Sequence, residues 1–97
     1  MRVEIEQEVL DFVRSLPPEP RSAIRRALRQ LGEWRGDIRP LEGELEGFYR
    51  LRVQRYRIIF FQHGTGKRRT IRCVYAGPRS LIYEVFAHYV VDLLRQP

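Results

Sequence analysis

Three arginines lie close together in one short segment of the sequence, at Arg50, Arg52 and Arg57. They are the side chains of this sequence best suited to bind an anionic group. A planar guanidinium group can bind two phosphate oxygens at once, so arginine suits a phosphate-rich partner. Three such groups on one surface repel one another, and a bound polyanion would relieve that repulsion. These residue types therefore favour a nucleic acid as the partner.

The segment that carries these arginines decides whether they share a surface. Its period of two predicts two β-strands, Phe48 to Val53 and Tyr56 to Gln62, with Gln54 and Arg55 as the connecting turn. The turn residues matter because they set which side chains of the two strands lie opposite each other.

An antiparallel hairpin with this turn places Arg52 opposite Arg57, and Arg50 opposite Ile59, so the three arginines lie on one face. The opposite face is then apolar and predicted to be core: Leu51, Val53, Tyr56, Ile58 and Phe60. A register slip of one residue would turn the arginines to the other face. Two alternatives need no nucleic acid: ion pairs with Glu42, Glu44 or Glu46, and arginine stems that merely cover an exposed sheet face.

Two more candidate residues, Arg79 and Tyr83, lie in the segment Gly-Pro-Arg-Ser-Leu-Ile-Tyr at 77–83. On a helix, residues four apart lie on the same side, one turn from each other. An arginine and a tyrosine at this spacing could contact a phosphate and stack on a base, respectively. The alternative is an exposed arginine next to a tyrosine half-buried at the edge of an apolar stripe.

The rest of the pattern predicts the elements that position these residues, in the order β-α-α-β-β-β-α, which is the α+β class. The first strand covers residues 1–5. One helix runs from Glu6 to Leu16, and a second runs from after Pro20 to Gly32 or Gly36. Residues 35–47 form a loop, and a strand from Arg69 to Tyr75 precedes a last helix capped by Ser80. We find no repeat or flexible linker, so we expect one domain over residues 1–97.

The charge distribution also favours an anionic partner for the second half of the chain. The 97 residues carry a net charge of +6. Residues 1–48 hold eight Arg against ten Asp and Glu, a net charge of −2, whereas 49–97 hold nine Arg and Lys67 against two acidic residues, a net charge of +8. The alternative is a compositional preference for arginine on an ordinary solvated surface.

Several classes of protein are excluded by the composition. Aromatic residues make up 11% of the chain, too many for a disordered sequence. No apolar run approaches the roughly 20 residues of a membrane span, and there is no secretory signal, so we expect no membrane partner and a cytoplasmic location. Cys73, the single cysteine, can form neither an intramolecular disulfide nor a thiolate metal site, and we expect no cofactor and no bound metal.

The sequence resembles the RelE/ParE superfamily of bacterial toxin–antitoxin toxins over nearly the whole chain. The matching segments are Val3-Glu-Ile, the helical hairpin, Pro40-Leu-Glu-Gly, Gly47-Phe-Tyr-Arg-Leu-Arg-Val, Tyr56-Arg-Ile-Ile-Phe and Gly77-Pro-Arg-Ser-Leu-Ile-Tyr. The resemblance implies a RelE-like domain in which a helical hairpin packs on a small antiparallel sheet whose other face is open and basic, with a C-terminal helix.

The resemblance also implies an activity and its residues. RelE-type toxins are metal-independent endoribonucleases that cleave mRNA in the ribosomal decoding site by attack of a ribose 2′-OH. The resemblance implies catalytic roles for Arg57, Arg79 and Tyr83. We assign nucleic-acid binding to the turn residue Arg55 and to two strand residues, Arg50 and Arg52. Among the departures, Pro78 stands where the family often has His.

A second departure concerns proton transfer. RelE itself has Lys where this chain has Arg50 and Arg52. Arginine is a poor general base because its pKa lies above 12, so the proton-transfer step has no assigned residue. His63 is expected in a turn and His88 on the last helix.

The expected partners are a cognate antitoxin protein and, for a nuclease, the ribosome and its mRNA. A ParE-like toxin that acts on DNA gyrase without cleaving anything shares the fold and is one alternative. A non-toxic binding descendant of the fold is another. Neither the antitoxin nor the oligomeric state follows from the sequence.

Overall fold

A computed structural model describes residues 1–79, 83, 86–88 and 90–91. Its elements are β1 Arg2–Ile5, α1 Gln7–Ser15, α2 Pro18–Leu31, β2 Asp37–Pro40, β3 Phe48–Val53, β4 Tyr56–His63 and β5 Thr70–Pro78. Single 3-10 turns lie at Gly43–Leu45 and Gly66–Arg68. Tyr83 and residues 86–88 and 90–91 are helical, in agreement with the predicted last helix.

The five strands form one sheet in the order β1-β5-β4-β3-β2. Neighbouring strands are antiparallel except that β1 pairs with β5 in parallel, so the sheet is mixed rather than purely antiparallel. The α+β class is confirmed. The edge strand β2 lies inside the segment predicted as a loop. That prediction was wrong for β2 because Pro40 and the neighbouring glycines are typical of loops, whereas an edge strand tolerates proline.

The helical hairpin covers one face of the sheet and forms the main core with it. Leu16 and Pro17 separate the two helices. Helix α2 begins at Pro18 rather than after Pro20, because proline is favoured in a helix's first turn. The buried apolar residues are Val9, Val13, Ile24, Leu28, Leu31, Leu51, Ile58, Phe60, Ile71 and Cys73. The predicted core face of the β3–β4 hairpin is therefore confirmed.

Phe60 is the largest of these core residues and is fully buried. Its ring stacks on Tyr49 at a centroid distance of 5.5 Å and meets Trp34 edge-on at 5.7 Å. Trp34 has a left-handed backbone conformation (φ 59°) in the segment after α2. These ring contacts join that segment to the sheet.

The other face of the sheet is not uniformly basic, in contrast to the open basic face that the resemblance implies. At one end, Ile59 and Phe86 are buried together, and the Phe86 ring lies 5.1 Å from Phe48. The pairing of β4 with β5 shifts after Ile59, and the extra residue Val74 packs into this second cluster. Helical residues near the C-terminus therefore cover part of the face, and the arginines occupy the remainder.

Candidate nucleic-acid interface

The β3–β4 register places the arginines as predicted. Arg52 pairs with Arg57, and Arg50 pairs with Ile59. Gln54 adopts a left-handed conformation in the turn (φ 56°), and its amide donates a hydrogen bond to Glu19 Oε1 on α2 at 2.9 Å. A turn without Gly or Asn is therefore supported by a contact outside the hairpin.

Arg57 is the most buried member of the arginine cluster, which consists of Arg50, Arg52 and Arg57, and the residue is only 6% exposed. Its Nη1 donates hydrogen bonds to the carbonyl oxygens of Gln54 at 3.1 Å and Tyr56 at 2.9 Å. Burial lowers the pKa of Arg57, the nearby tyrosine Tyr83 opposes that shift, and the charges of three arginines, Arg50, Arg52 and Arg79, lower it further. The guanidinium remains protonated near neutral pH, because an arginine pKa starts above 12.

Asp37 at the start of β2 holds two of these arginines. Its carboxylate lies 3.3 Å from Arg50 Nη1 through Oδ1 and 2.6 Å from Arg52 Nε through Oδ2. Arg50 Nη1 also donates to the Asp37 carbonyl oxygen at 3.2 Å. In the part of the chain that the structure describes, the ion pairs of Arg50 and Arg52 are thus with Asp37, and not with the loop glutamates Glu42, Glu44 and Glu46.

Arg79 and Tyr83 both lie close enough to Arg57 to interact with it electrostatically. The backbone N–H of Arg79 donates to the carbonyl oxygen of Arg55 at 2.9 Å, which fixes the end of β5 to the hairpin turn. The Arg79 side chain is exposed, whereas Tyr83 is half-buried against the second apolar cluster. The predicted helix start at Ser80 lies outside the described residues.

Arg55 points elsewhere. Its guanidinium carbon lies 5.7 Å from the centre of the Tyr56 ring, and that ring contacts Phe12 of α1 at 5.8 Å. The Arg55 side chain thus lies toward the helical side of the sheet. It shares the hairpin tip with the other arginines but not their face.

On the face of the sheet that carries Arg57, the end farther from Arg57 has its positive charge neutralised by acidic side chains. Arg72 pairs with Glu6 at 2.6 Å and with Glu4 at 3.8 Å, and Glu4 also lies 3.8 Å from His63. His63 ends β4 six residues beyond Arg57, which is about 20 Å along a strand. His63 is therefore placed away from the arginine cluster. Among the described residues, Arg57 and Arg79 have no ion pair, in contrast to Arg72 at this end.

Two other kinds of chemistry find no support among the described residues. Burial raises the pKa of Cys73 to about 12, so its thiol is not a nucleophile near neutral pH. No group of three or more His, Cys, Asp or Glu side chains that could hold a metal ion occurs in the described part of the chain. No described helix is long and apolar enough to cross a membrane.

The arrangement can bind and stabilise a phosphate that gains negative charge. One nitrogen of each strand arginine is anchored by a protein oxygen, and an arginine has five N–H donors, so each group keeps further donors. Those of Arg52 are the most open to a ligand, because its side chain is 55% exposed. Sequence reasoning missed Asp37, whose role depends on β2 being a strand. No local pattern in the sequence marks it, because Asp37 lies opposite Arg52 only once β2 is placed beside β3.

Solved structures with this fold include three from toxin–antitoxin systems. The YoeB/ParE toxin from Agrobacterium tumefaciens matches with a TM-score of 0.66 and 16% identity over 80% of this chain and 98% of that chain. The RelBE2 toxin–antitoxin complex from Mycobacterium tuberculosis matches with a TM-score of 0.60 and 19% identity over 80% of this chain and 96% of that chain. The archaeal RelE-RelB complex from Pyrococcus horikoshii OT3 matches with a TM-score of 0.62 and 27% identity over 81% of this chain and 94% of that chain. No protein-family model and no curated protein sequence matches the chain.

Proposed function

From the premise that this chain has the fold of RelE/ParE-type toxins, we propose that it is the toxin of a type II toxin–antitoxin system. We further propose that it is a ribosome-dependent mRNA endoribonuclease of the cytoplasm that works without a metal ion. The observation that carries the proposal is that Arg50, Arg52 and Arg57 share one face of the sheet, with Arg79 and Tyr83 close enough to Arg57 to shift its pKa. A phosphodiester is the anion that this set suits.

In the proposed reaction, the ribose 2′-oxygen attacks the adjacent phosphorus and the bond from phosphorus to the 5′-oxygen breaks. The 2′-hydroxyl gives up its proton and the leaving 5′-oxygen takes one up, with no residue assigned to either transfer. The products are a 2′,3′-cyclic phosphate and a free 5′-hydroxyl. Arg57 and Arg79 stabilise the negative charge that grows on the phosphoryl oxygens, which is the role that a metal ion has in other nucleases. Tyr83 stacks on a base or orients the 2′-hydroxyl. Arg50 and Arg52 bind the flanking backbone.

The test of this function is cleavage of a programmed mRNA on purified ribosomes by the purified chain. We expect cut mRNA with cyclic-phosphate ends, and no cleavage by a variant with Arg57, Arg79 and Tyr83 all replaced by alanine. Intact mRNA together with DNA breaks in cells that express the chain would instead support the gyrase-directed alternative, which shares the fold.

An antitoxin partner is part of the proposal, because two of the similar structures are toxin–antitoxin complexes. On the helical side, a groove of about 420 Å³ runs between β1, α1 and α2 and has an apolar floor. Three exposed arginines line it: Arg14, Arg25 and Arg29. Its charge complements an amphipathic antitoxin helix that carries acidic residues, which we propose as its occupant.

Reversing two of these charges with Arg25→Glu and Arg29→Glu should weaken antitoxin binding by roughly tenfold or more, mainly through slower association. The measurement is a titration of the purified toxin variant with its antitoxin at two salt concentrations. Arg26→Glu, on the neighbouring position of α2 but outside the groove, is the matched control. Equal affinity of the double variant and the control would exclude this groove as the docking site.

A further inference from the structure

Among the residues that the structure describes, the carboxylate in ion pairs with the arginine cluster is that of Asp37. Asp37 contacts Arg52 through Nε and Arg50 through Nη1, so one acidic side chain spans two basic ones on the neighbouring strand. The Arg50 side chain is only 12% exposed, whereas Arg52 is 55% exposed. Arg52 is held through Nε at 2.6 Å, and its exposed guanidinium carries further N–H donors that a ligand can approach from solvent.

A carboxylate at this place has two opposed effects on a bound phosphate. Its negative charge weakens the attraction of the cluster for RNA. Its ion pairs also hold two long side chains that would otherwise sample many rotamers and repel Arg57 and each other. Preorganised donors stabilise a transition state without reorganising when the reaction occurs, so the second effect acts on the chemical step and the first on binding.

We propose that Asp37 is a positioning residue that orients Arg50 and Arg52 for the transition state and lowers the affinity of the cluster for RNA. The inference rests on the proposed nuclease function. It predicts that removal of the Asp37 charge separates binding from chemistry: Asp37→Asn binds RNA at least as tightly as the unmodified chain but cleaves it more slowly.

The expected sizes follow from the geometry. Misplacement of a catalytic group by about 1 Å can cost up to about 10²-fold, so we expect single-turnover cleavage by Asp37→Asn to fall by roughly 10- to 100-fold. One additional phosphate contact by the released Arg52 should change the slope of binding against salt. For single-stranded RNA, the logarithm of the association constant should fall more steeply with the logarithm of the salt concentration, by about 0.7. A merely structural role would weaken binding and cleavage together.

The experiment compares three variants of the full chain with the unmodified protein. Asp37→Asn removes the charge, Asp37→Glu restores a carboxylate and should recover part of the rate, and Glu42→Gln removes an acidic residue outside these ion pairs. Binding of a short single-stranded RNA is measured at several salt concentrations, and cleavage is measured on ribosomes under single-turnover conditions. Circular dichroism checks the fold of each variant.

A readout independent of activity is the Arg52 Nε–H signal in ¹⁵N-resolved NMR. We expect slow hydrogen exchange at this site in the unmodified chain and fast exchange in folded Asp37→Asn. Equal cleavage by folded Asp37→Asn, or equal exchange, would overturn the inference while leaving the nuclease function standing. If the unmodified chain cleaves nothing, the proposed function fails. Slow exchange in the unmodified chain, together with tighter RNA binding by Asp37→Asn, would then support only the ordering of the arginines by Asp37 and its effect on affinity.

Discussion

Arg79→Ala should lower the rate of mRNA cleavage by about 10²–10³, the loss of about 2.7–4 kcal/mol typical when one charged or polar donor to a transition state is removed. Arg79 is exposed, lies close enough to Arg57 to lower the pKa of that residue, and carries no acidic partner among the described ion pairs. No described carboxylate therefore holds its guanidinium away from a phosphate on which charge develops.

The fold should survive this substitution. The contact that the structure gives Arg79 is through its backbone N–H to the Arg55 carbonyl oxygen, and alanine keeps that N–H. The measurement is single-turnover cleavage on purified ribosomes, with circular dichroism and antitoxin binding as controls for folding. Arg26→Ala on α2 loses the same charge on the opposite side of the sheet and should retain full activity. Full cleavage by folded Arg79→Ala would remove Arg79 from the site.

Phe60→Ala should destabilise the protein by about 3–5 kcal/mol, a large part of the 5–15 kcal/mol that typically stabilises a domain. The Phe60 side chain is fully buried and contacts the rings of Tyr49 and Trp34. Its removal leaves a cavity at the point where the segment after α2 meets the sheet. For a domain of this size, the midpoint of thermal unfolding should fall by roughly 4–8 °C per kcal/mol.

Phe61 is the matched control for this measurement. It is the next residue on β4 and points to the other face, where it is only half-buried and contacts Phe48 edge-on at 5.8 Å. Phe61→Ala should therefore cost clearly less than Phe60→Ala in urea or thermal unfolding. An equal or reversed order would contradict the register that places the arginines on the Phe61 face.

Local periodicity was sufficient to predict the hairpin that carries the arginines. Its alternation of Leu51, Ile58 and Phe60 with Arg50 and Arg52 has one reading that buries the apolar set, and that reading is the observed one. The helical hairpin followed from apolar residues at helical spacing and from the proline pair at the junction of the two helices.

The parts that the sequence did not predict depend on contacts between distant segments. The parallel pairing of β1 with β5 has no local signal, and neither has the edge strand β2, whose proline and exposed arginine resemble a loop. Asp37 became visible as the partner of Arg50 and Arg52 only once β2 was placed beside β3. The position of Arg55 was also unpredictable, because a turn side chain can lean toward either face.

The parallel pairing of β1 with β5 has a consequence for the order of events during folding. Arg2 pairs with Thr70, 68 residues later, so this contact closes a loop that contains both helices and the hairpin. Contacts between distant residues form slowly, whereas α1, α2 and the β3–β4 hairpin need only near neighbours. As a chain emerges during synthesis, the hairpin can form early, but β4 lacks its second neighbour until β5 has been made. Arg57 and Arg79 therefore come together late, when nearly all of the described chain is present.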